Sequence, residues 1–244
     1  MTKALKFSAA LLPIATTLAA CSAEPEAPKQ TGAQAQPAHH YYLNDTSVST
    51  ATQIDPAVAQ AVERFIGADM DANVQLGDSV TVYETGARSA ERMVAKLHLV
   101  TDYAQRVPVA KSKVMDALRA SAARVQREGG DGDTNLLLTA EAIPFNCMPR
   151  STITFITDGV ESGDYSAASA LALDAPVNLP PPSSDSLLAG CKIRFVGFGL
   201  TADPATGNAS LLPAKPLAML RLGWMRYLTE AGVMPQDVEF ISTL

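Results

Sequence analysis

The sequence predicts an α/β fold with a doubly wound, mostly parallel central sheet that is flanked by helices. Short apolar or β-branched runs alternate along the chain with longer amphipathic runs of helical period. In addition, the runs STITFIT (151–157) and CKIRFVGF (191–198) are nearly continuous in apolar or β-branched residues, as expected of strands covered on both faces. Alternating strands and helices imply crossover connections, and therefore a largely parallel sheet.

The remaining elements are predicted from local patterns in chain order. Further strands are expected at HHYYLN (39–44), SVTVYE (79–84), KLHLV (96–100) and VEFIST (238–243). Helices are expected at DPAVAQAVERFIGA (55–68), at about 109–126, in a short run after Thr134, and at LAMLRLGWMRYLTEAG (217–232). Residues 164–189 are polar and rich in proline, which favours a short helix followed by a surface loop.

The first 38 residues are expected to lie outside the folded domain. Residues 1–20 have a short basic start and an apolar stretch, and Leu18-Ala19-Ala20-Cys21 resembles a bacterial lipobox. The resemblance implies a lipoprotein signal peptide at 1–20, with cleavage before Cys21 and lipid attachment to that residue. The alternative is an ordinary secretory signal cut after an Ala-x-Ala-like site. Residues 21–38 then form a lipidated cysteine and a flexible tether, and residues 39–244 form the domain.

Composition and charge exclude several classes of protein. Of the 244 residues, 47% are hydrophobic and 18% are charged, which is typical of a globular chain. The formal charge of −6 argues against nucleic acid as a partner, because phosphate binding needs clustered Lys and Arg. No other apolar run approaches 18 residues, so the lipid is the predicted membrane attachment. The predicted location is the bacterial cell envelope, and Ser22 favours the outer membrane facing the periplasm in a Gram-negative cell.

Three segments place oxygen-bearing side chains at the predicted carboxyl ends of strands or beside them. Asp45, Ser47 and Ser49 follow the first strand in DTSVS, Asp158 follows STITFIT, and Thr134 lies in the glycine-rich loop EGGDGDTNLL. In a doubly wound sheet, ligands bind beyond the carboxyl ends of the strands, where the strand order reverses. A solvated turn would explain DTSVS alone, whereas a metal site explains all three segments.

These motifs, DTSVS, GDTNL, FITDGVE and IRFVGFG, together resemble a von Willebrand factor A (VWA) domain from about residue 39 to the end of the chain. The resemblance implies a Rossmann-like sheet of the VWA type and a metal-ion-dependent adhesion site. It further implies that the hydroxyls approach the ion directly and that the two aspartates commonly act through waters. The implied ligand set is Asp45, Ser47, Ser49, Thr134 and Asp158.

The chemistry of this donor set supports a hard divalent cation. Carboxylate and hydroxyl oxygens suit Mg²⁺, or Mn²⁺ or Ca²⁺, and suit zinc poorly. The resemblance implies an open coordination position that a Glu or Asp of a protein partner fills. Many members of the family keep the site mainly for stability, so a purely stabilising metal remains an alternative.

Cys147 and Cys191 form a candidate disulfide in an oxidising compartment. Cys191 begins one predicted strand and Cys147 lies just before the strand that would be its neighbour, at the end of the sheet opposite the metal. The alternative is two reduced, buried thiols.

The sequence therefore predicts a lipid-anchored binding module and not an enzyme. It contains no G-x-S-x-G, H-E-x-x-H or P-loop motif, and no histidine near the metal loops to act as a general base. The alternatives are a structural lipoprotein of an envelope or of a secretion or conjugation assembly, and, less favoured, a metal-dependent hydrolase. Asp131 and Asp133 are interpreted as a solvated acidic loop, His98 as a structural histidine, and Trp224 as an anchor of the last helix.

Overall fold

A twisted sheet of six strands forms the centre of the described chain, in the order β3-β2-β1-β4-β5-β8. The structure, a computed structural model, describes residues 36–86, 97–101, 106–163, 166–203 and 205–242. The eight strands of these residues are β1 (His39–Asp45), β2 (Ser79–Thr85), β3 (Leu97–Val100), β4 (Thr152–Ile156), β5 (Lys192–Val196), β6 (Leu200–Ala202), β7 (Ala209–Leu211) and β8 (Val238–Ile241). The predicted signal peptide, Cys21 and the tether as far as residue 35 lie outside the described residues.

The predicted α/β, doubly wound and mostly parallel sheet is confirmed. β1 pairs in parallel with β2 on one side and with β4 on the other, and β4-β5 and β5-β8 are also parallel. β3 is antiparallel to β2 and forms an edge. The chain therefore winds outward from β1 in both directions, which is the Rossmann-like arrangement.

Helices cover both faces of the sheet. They are α1 (Ala51–Ile54), α2 (Pro56–Asn73), α3 (Arg106–Glu128), α4 (Leu136–Ala142), α5 (Ala167–Ala172) and α6 (Ala214–Glu230), and a 3-10 turn spans Pro235–Asp237. α2 begins where Asp55 accepts hydrogen bonds from the amides of Ala57 and Val58, with Pro56 in its first turn. No helix of the described ranges is long and apolar enough to cross a membrane.

The alternation of side chains along each strand divides the core into two layers. On one face, Leu43, Phe155 and Phe195 pack with α4 and α6, where fully buried Trp224 lies against Phe195. On the other face, Tyr42, Val82 and Val196 pack with α2 and α3. Because side chains in a strand alternate between faces, Asp45 points to the same face as Leu43, towards α4 and α6.

Two features were not predicted from the sequence. β6 and β7 form an antiparallel hairpin between β5 and α6, and α1 is a single turn that follows the DTSVS segment. β3 was predicted as a strand, but its antiparallel direction was not, because a short apolar run carries no information about direction.

The predicted disulfide between Cys147 and Cys191 is present, and it encloses a sequence separation of 44 residues. Cys191 directly precedes β5, and Cys147 lies shortly before β4. The bond therefore lies at the amino ends of these strands, as expected, and it closes a loop that contains β4, α5 and the proline-rich segment.

Candidate metal centre

The five predicted ligands lie at the carboxyl edge of the sheet, where the strand order reverses between β1 and β4. Asp45 is the last residue of β1, and Asp158 follows β4 by two residues. Since β1 and β4 are parallel neighbours, the loops that follow them emerge side by side. The topology therefore creates a crevice between two aspartates that are 113 positions apart in sequence.

Asp45 is fully buried among hydrogen-bond donors. Its Oδ1 accepts from the amide of Ser47 at 2.9 Å, and its Oδ2 accepts from Thr157 Oγ1 at 2.7 Å. Burial raises the pKa of Asp45, and the hydrogen bonds from Thr157 and Ser47 partly oppose that rise. The described residues thus orient this carboxylate but provide it with no positive charge.

Asp158 is equally buried and has fewer partners. Its Oδ1 accepts from the amide of Val160 at 2.8 Å, whereas its Oδ2 has no hydrogen-bond partner among the described residues. Burial first, and then repulsion from the nearby Asp45, raise the pKa of Asp158 well above its ordinary value. An ionised, unpartnered carboxylate oxygen that is buried beside a second carboxylate is costly unless the group takes up a proton or a cation lies between the two groups.

The serines of DTSVS line the loop that follows Asp45. Ser47 Oγ lies 2.7 Å from Thr50 Oγ1 and 3.4 Å from Ser49 Oγ. Ser47 is buried and Ser49 is half-buried. The three hydroxyls therefore form one polar cluster that begins two residues after Asp45.

Thr134 is held between the other two segments by backbone hydrogen bonds. Three residues before it, Asp131 exchanges backbone bonds with Thr46 and Val48 of the first segment. The amide of Thr134 donates to Ser162 Oγ at 2.7 Å, and the carbonyl of Thr134 accepts from the amides of Ser162 and Gly163. Thr134 is fully buried, and its Oγ1 has no hydrogen-bond partner in the part of the chain that the structure describes.

Gly130 explains how the Thr134 loop comes so close to DTSVS. A Cβ on Gly130 would lie 2.7 Å from the carbonyl oxygen of Thr46 and 2.8 Å from the amide nitrogen of Val48. The glycine-rich sequence before Thr134 thus permits backbone-to-backbone contact. Asp131, interpreted from the sequence as part of a solvated loop, instead accepts a hydrogen bond from Thr46 Oγ1 at 2.8 Å and fixes this junction.

Sequence reasoning missed two residues of the site. Thr157 donates to Asp45 and accepts from the amide of Gly159 at 3.0 Å, so it joins both aspartate loops. Glu161 is buried and accepts from the amides of Leu136 and Leu137 at the start of α4. Burial raises the pKa of Glu161 to about 7. The role of Thr157 could have been inferred from its position directly before Asp158 in FITDGVE. The role of Glu161 could not, because its hydrogen-bond partners are distant in sequence.

Trp224 of α6 is hydrogen-bonded to the loop that carries Asp158. Its indole Nε1 donates to the carbonyl oxygen of Gly159 at 2.7 Å. Gly159 has a φ of 77°, which lies in the left-handed region that favours glycine. The prediction that Trp224 anchors α6 is confirmed, and its anchor point includes the turn that carries Asp158.

The donor set fits a hard divalent cation. It offers carboxylate and hydroxyl oxygens, and two of its buried atoms, Thr134 Oγ1 and Asp158 Oδ2, have no hydrogen-bond partner within the described ranges. The described residues contain no group of three or more His, Cys, Asp or Glu side chains that could hold a metal. A cation here would therefore depend on Ser47, Ser49 and Thr134 together with the two aspartates, which is unlike the nitrogen- and sulfur-rich sites of zinc.

The comparisons with known proteins give remote likenesses. No protein-family model and no curated protein matches the sequence. A structure described as an aerotolerance-related membrane protein from Bacteroides fragilis NCTC 9343 with multiple mutations to serines is 14% identical, covers 85% of this chain and 92% of its own, and has a TM-score of 0.44. One described as the conserved hypothetical protein BatB from Bacteroides thetaiotaomicron is 13% identical, covers 84% and 89%, and has a TM-score of 0.41. Values this low carry no argument about what this protein binds.

Proposed function

We propose that this protein is a lipid-anchored, extracytoplasmic VWA-like module that binds a protein partner through a divalent cation. Asp45, Ser47, Ser49, Thr134 and Asp158 hold the cation, which is Mg²⁺, or Mn²⁺ or Ca²⁺. The lipid on Cys21 attaches the protein to the cell envelope. Two observations support the proposal: the resemblance of the sequence motifs to a VWA domain, and the carboxylate and hydroxyl oxygens at the carboxyl edge of the sheet.

The observation that carries the proposal is the pair of unpartnered buried atoms in the site. Thr134 Oγ1 and Asp158 Oδ2 belong to residues that are fully buried, and each lacks a hydrogen bond within the described chain. A buried oxygen without a partner costs about 1–3 kcal/mol, and a carboxylate costs more. A bound cation would satisfy both atoms and would screen the repulsion between Asp45 and Asp158.

The partner is proposed to supply a Glu or Asp to the cation. Three of the five ligands are neutral hydroxyls, so the bound ion keeps much of its positive charge and attracts a further carboxylate. The protein itself carries a net charge of −6, which makes the cation the attractive point for an acidic group.

Binding is favoured over catalysis because no histidine lies near the site. All three histidines of the sequence are in described strands. His39 and His40 begin β1 at the opposite end of the sheet, and His98 lies in β3, where its Nδ1 is 2.8 Å from Thr81 Oγ1. A metal-dependent hydrolase would have to use a carboxyl group such as Glu161 as its general base, and that group already accepts hydrogen bonds from the amides of Leu136 and Leu137.

The first test is cation-dependent stability. Unfolding of the purified protein is followed in chelator and in Mg²⁺, Mn²⁺ or Ca²⁺ at about 100 times the dissociation constant, where linkage gives about 2.7 kcal/mol of stabilisation. Thr134→Val and Asp158→Asn are expected to abolish this gain, since each removes an unpartnered ligand atom.

Thr154→Val provides the matched control. Thr154 is also fully buried with an unpartnered Oγ1, but it lies in the middle of β4 and faces the other layer of the core. This variant is expected to keep the full response to the cation. If it lost the response as Thr134→Val does, or if the wild type showed no response, the proposed site would be wrong.

A second experiment separates a binding module from a structural lipoprotein. Immobilised protein is exposed to envelope extracts in Mg²⁺ and in chelator, and retained proteins are identified. A partner released by chelator and absent from the Asp158→Asn column supports binding through the cation. Cation-dependent stability without such a partner would favour the structural alternative.

A further inference from the structure

A cavity of about 390 Å³ opens beside the candidate metal centre. It starts at Asn135, the residue after Thr134, and includes Glu161, three residues after Asp158. The other lining residues come from α4 and from the proline-rich segment, namely Leu137, Leu138, Glu141, Pro180, Pro181 and Ser183. Its volume is in the range typical of small-ligand sites.

Both walls of this cavity are fixed by hydrogen bonds. Glu161 ties one wall to α4 through the amides of Leu136 and Leu137, at 2.7 and 3.2 Å. On the opposite wall, Arg226 of α6 donates to the carbonyl oxygen of Leu179 at 3.2 Å, next to Pro180. The amide of Ser183 then donates to Glu141 Oε1 at 3.3 Å, which links the two walls across the cavity.

The lining combines apolar surfaces with two carboxyl groups. Leu137, Leu138, Pro180 and Pro181 offer apolar contact, whereas Glu141 and Glu161 carry the carboxyl groups. No Lys, Arg or His is found among the described residues that line the cavity. A side chain with a long aliphatic stem and a cationic end would contact the apolar residues with its stem and the carboxyl groups with its charge. A guanidinium can also bind a carboxylate with two parallel hydrogen bonds.

We propose that this cavity receives an arginine side chain of the protein partner. The inference deepens the proposed function and, as a statement about one partner, rests on it: the partner would offer a carboxylate to the cation and an arginine to the adjacent cavity. The exposed Glu141 makes the direct ion pair, and its carboxylate also interacts with the amide of Ser183 and with the hydroxyl of Tyr227. Buried Glu161 provides a second carboxyl group in the lining, which can accept a hydrogen bond whether or not it is ionised.

The test uses a small probe in the presence of chelator, so that it does not depend on the cation. The full protein is titrated with N-acetyl-arginine methylamide and with the uncharged isostere N-acetyl-citrulline methylamide, and amide shifts are followed by NMR. Saturable shifts at Leu137, Leu138 and Ser183 with the arginine probe, and a citrulline affinity at least tenfold weaker, are expected.

Glu141→Gln keeps an oxygen for Ser183 and removes the charge, so the variant is expected to fold normally and to bind the arginine probe about fivefold more weakly. Asp185→Asn changes an exposed carboxylate of the same segment outside the cavity lining and should leave the affinity unchanged. Equal binding of arginine and citrulline, shifts elsewhere, or an unaltered Glu141→Gln would overturn the assignment. Because stabilisation by Mg²⁺ is measured separately, a failure here is distinguishable from a failure of the metal site.

Discussion

The two ends of the central sheet treat buried carboxylates in opposite ways. At the amino edge, Asp78 is fully buried just before β2, and it bonds Arg150 Nη2 at 2.8 Å, His40 Nε2 at 3.3 Å and two backbone amides. At the carboxyl edge, Asp45 and Asp158 are equally buried, but the described residues give them hydrogen bonds and no positive charge. At the amino edge the buried carboxylate is paired with positive or hydrogen-bonding groups of the described chain, whereas the carboxyl edge offers the place where we propose that a cation binds.

The pKa directions express the same difference. Burial alone would raise the pKa of Asp78, but hydrogen bonds from Arg150, Ala38 and Gln75 outweigh it and hold the pKa below its ordinary value. Burial and the charge of Asp45 both raise the pKa of Asp158. The ionised carboxylate of the amino edge therefore stabilises the fold, whereas ionisation of the pair at the carboxyl edge costs stability, as expected if that edge is the proposed binding site.

The largest effect is expected from removing the carboxylate of the amino edge. Asp78→Ala should lower the free energy of unfolding by about 4 kcal/mol, because it leaves buried donors without an acceptor and Arg150 without its partner. Urea unfolding measures this loss. Asp71→Ala is the control, since Asp71 pairs with Lys111 on the surface and should cost less than about 1 kcal/mol. Similar losses in both variants would remove the contrast between the edges.

The disulfide is expected to contribute somewhat less and to leave cation binding unchanged. Replacing Cys147 and Cys191 together by serine should cost about 3 kcal/mol, because the bond closes a long loop. Since the bond lies at the amino edge, the stabilisation by Mg²⁺ should equal that of the wild type. A loss of the Mg²⁺ response in the double variant would mean that the edges are coupled.

The edges should also respond oppositely to pH in chelator. The pKa of Asp158 is raised in the folded state, so its contribution to stability is full at low pH and is lost as pH rises above about 4 towards the folded pKa. The pKa of Asp78 is lowered, so its contribution is full above about 4 and is lost as pH falls through the folded pKa. Unfolding at a series of pH values checks both slopes. Asp158→Asn should reduce the first slope, which Asp45 and Glu161 still contribute to because their pKa values are also raised, and should keep the second.

The smallest effect is expected at the unpartnered hydroxyl. Thr134→Val should raise the free energy of unfolding in chelator by about 1 kcal/mol, because it removes a buried oxygen that has no hydrogen bond. Thr50→Val should change stability by a similar amount in the opposite direction, because it takes a partner from Ser47 Oγ. Calorimetry of both variants gives the sign, and a destabilised Thr134→Val would show that its hydroxyl is already satisfied.

Much of the carboxyl edge could be predicted from the sequence because its residues are close to strand ends. Asp45 ends β1, Ser47 and Ser49 follow it, and Asp158 follows β4, so placing the strands also places these side chains. Once periodicity has identified where a parallel strand ends, the loop that follows it must lie at the carboxyl edge of the sheet. The alternation with helices likewise predicted the parallel core of the sheet.

The amino edge could not be predicted in the same way. No pattern in the sequence singled out Asp78, and His40 was placed only at the start of the predicted strand 39–44. Arg150 is 72 positions from Asp78, and His40 is 38 positions from it, so no local pattern joins them. The raised pKa of Glu161 could not be predicted from the sequence either, because it depends on burial, which is a property of the assembled fold.

The attachment of residues 36–38 at the amino edge has a mechanical consequence. Arg150 holds the carbonyl of Gln36, and Asp78 holds the amide of Ala38, whereas the proposed partner contact lies beyond the other end of β1, about 20 Å away. Tension between a membrane anchor and a bound partner would therefore run lengthwise through β1. Seven residue pairs with β2 and five with β4 would resist that tension together, in shear along both sides of the strand.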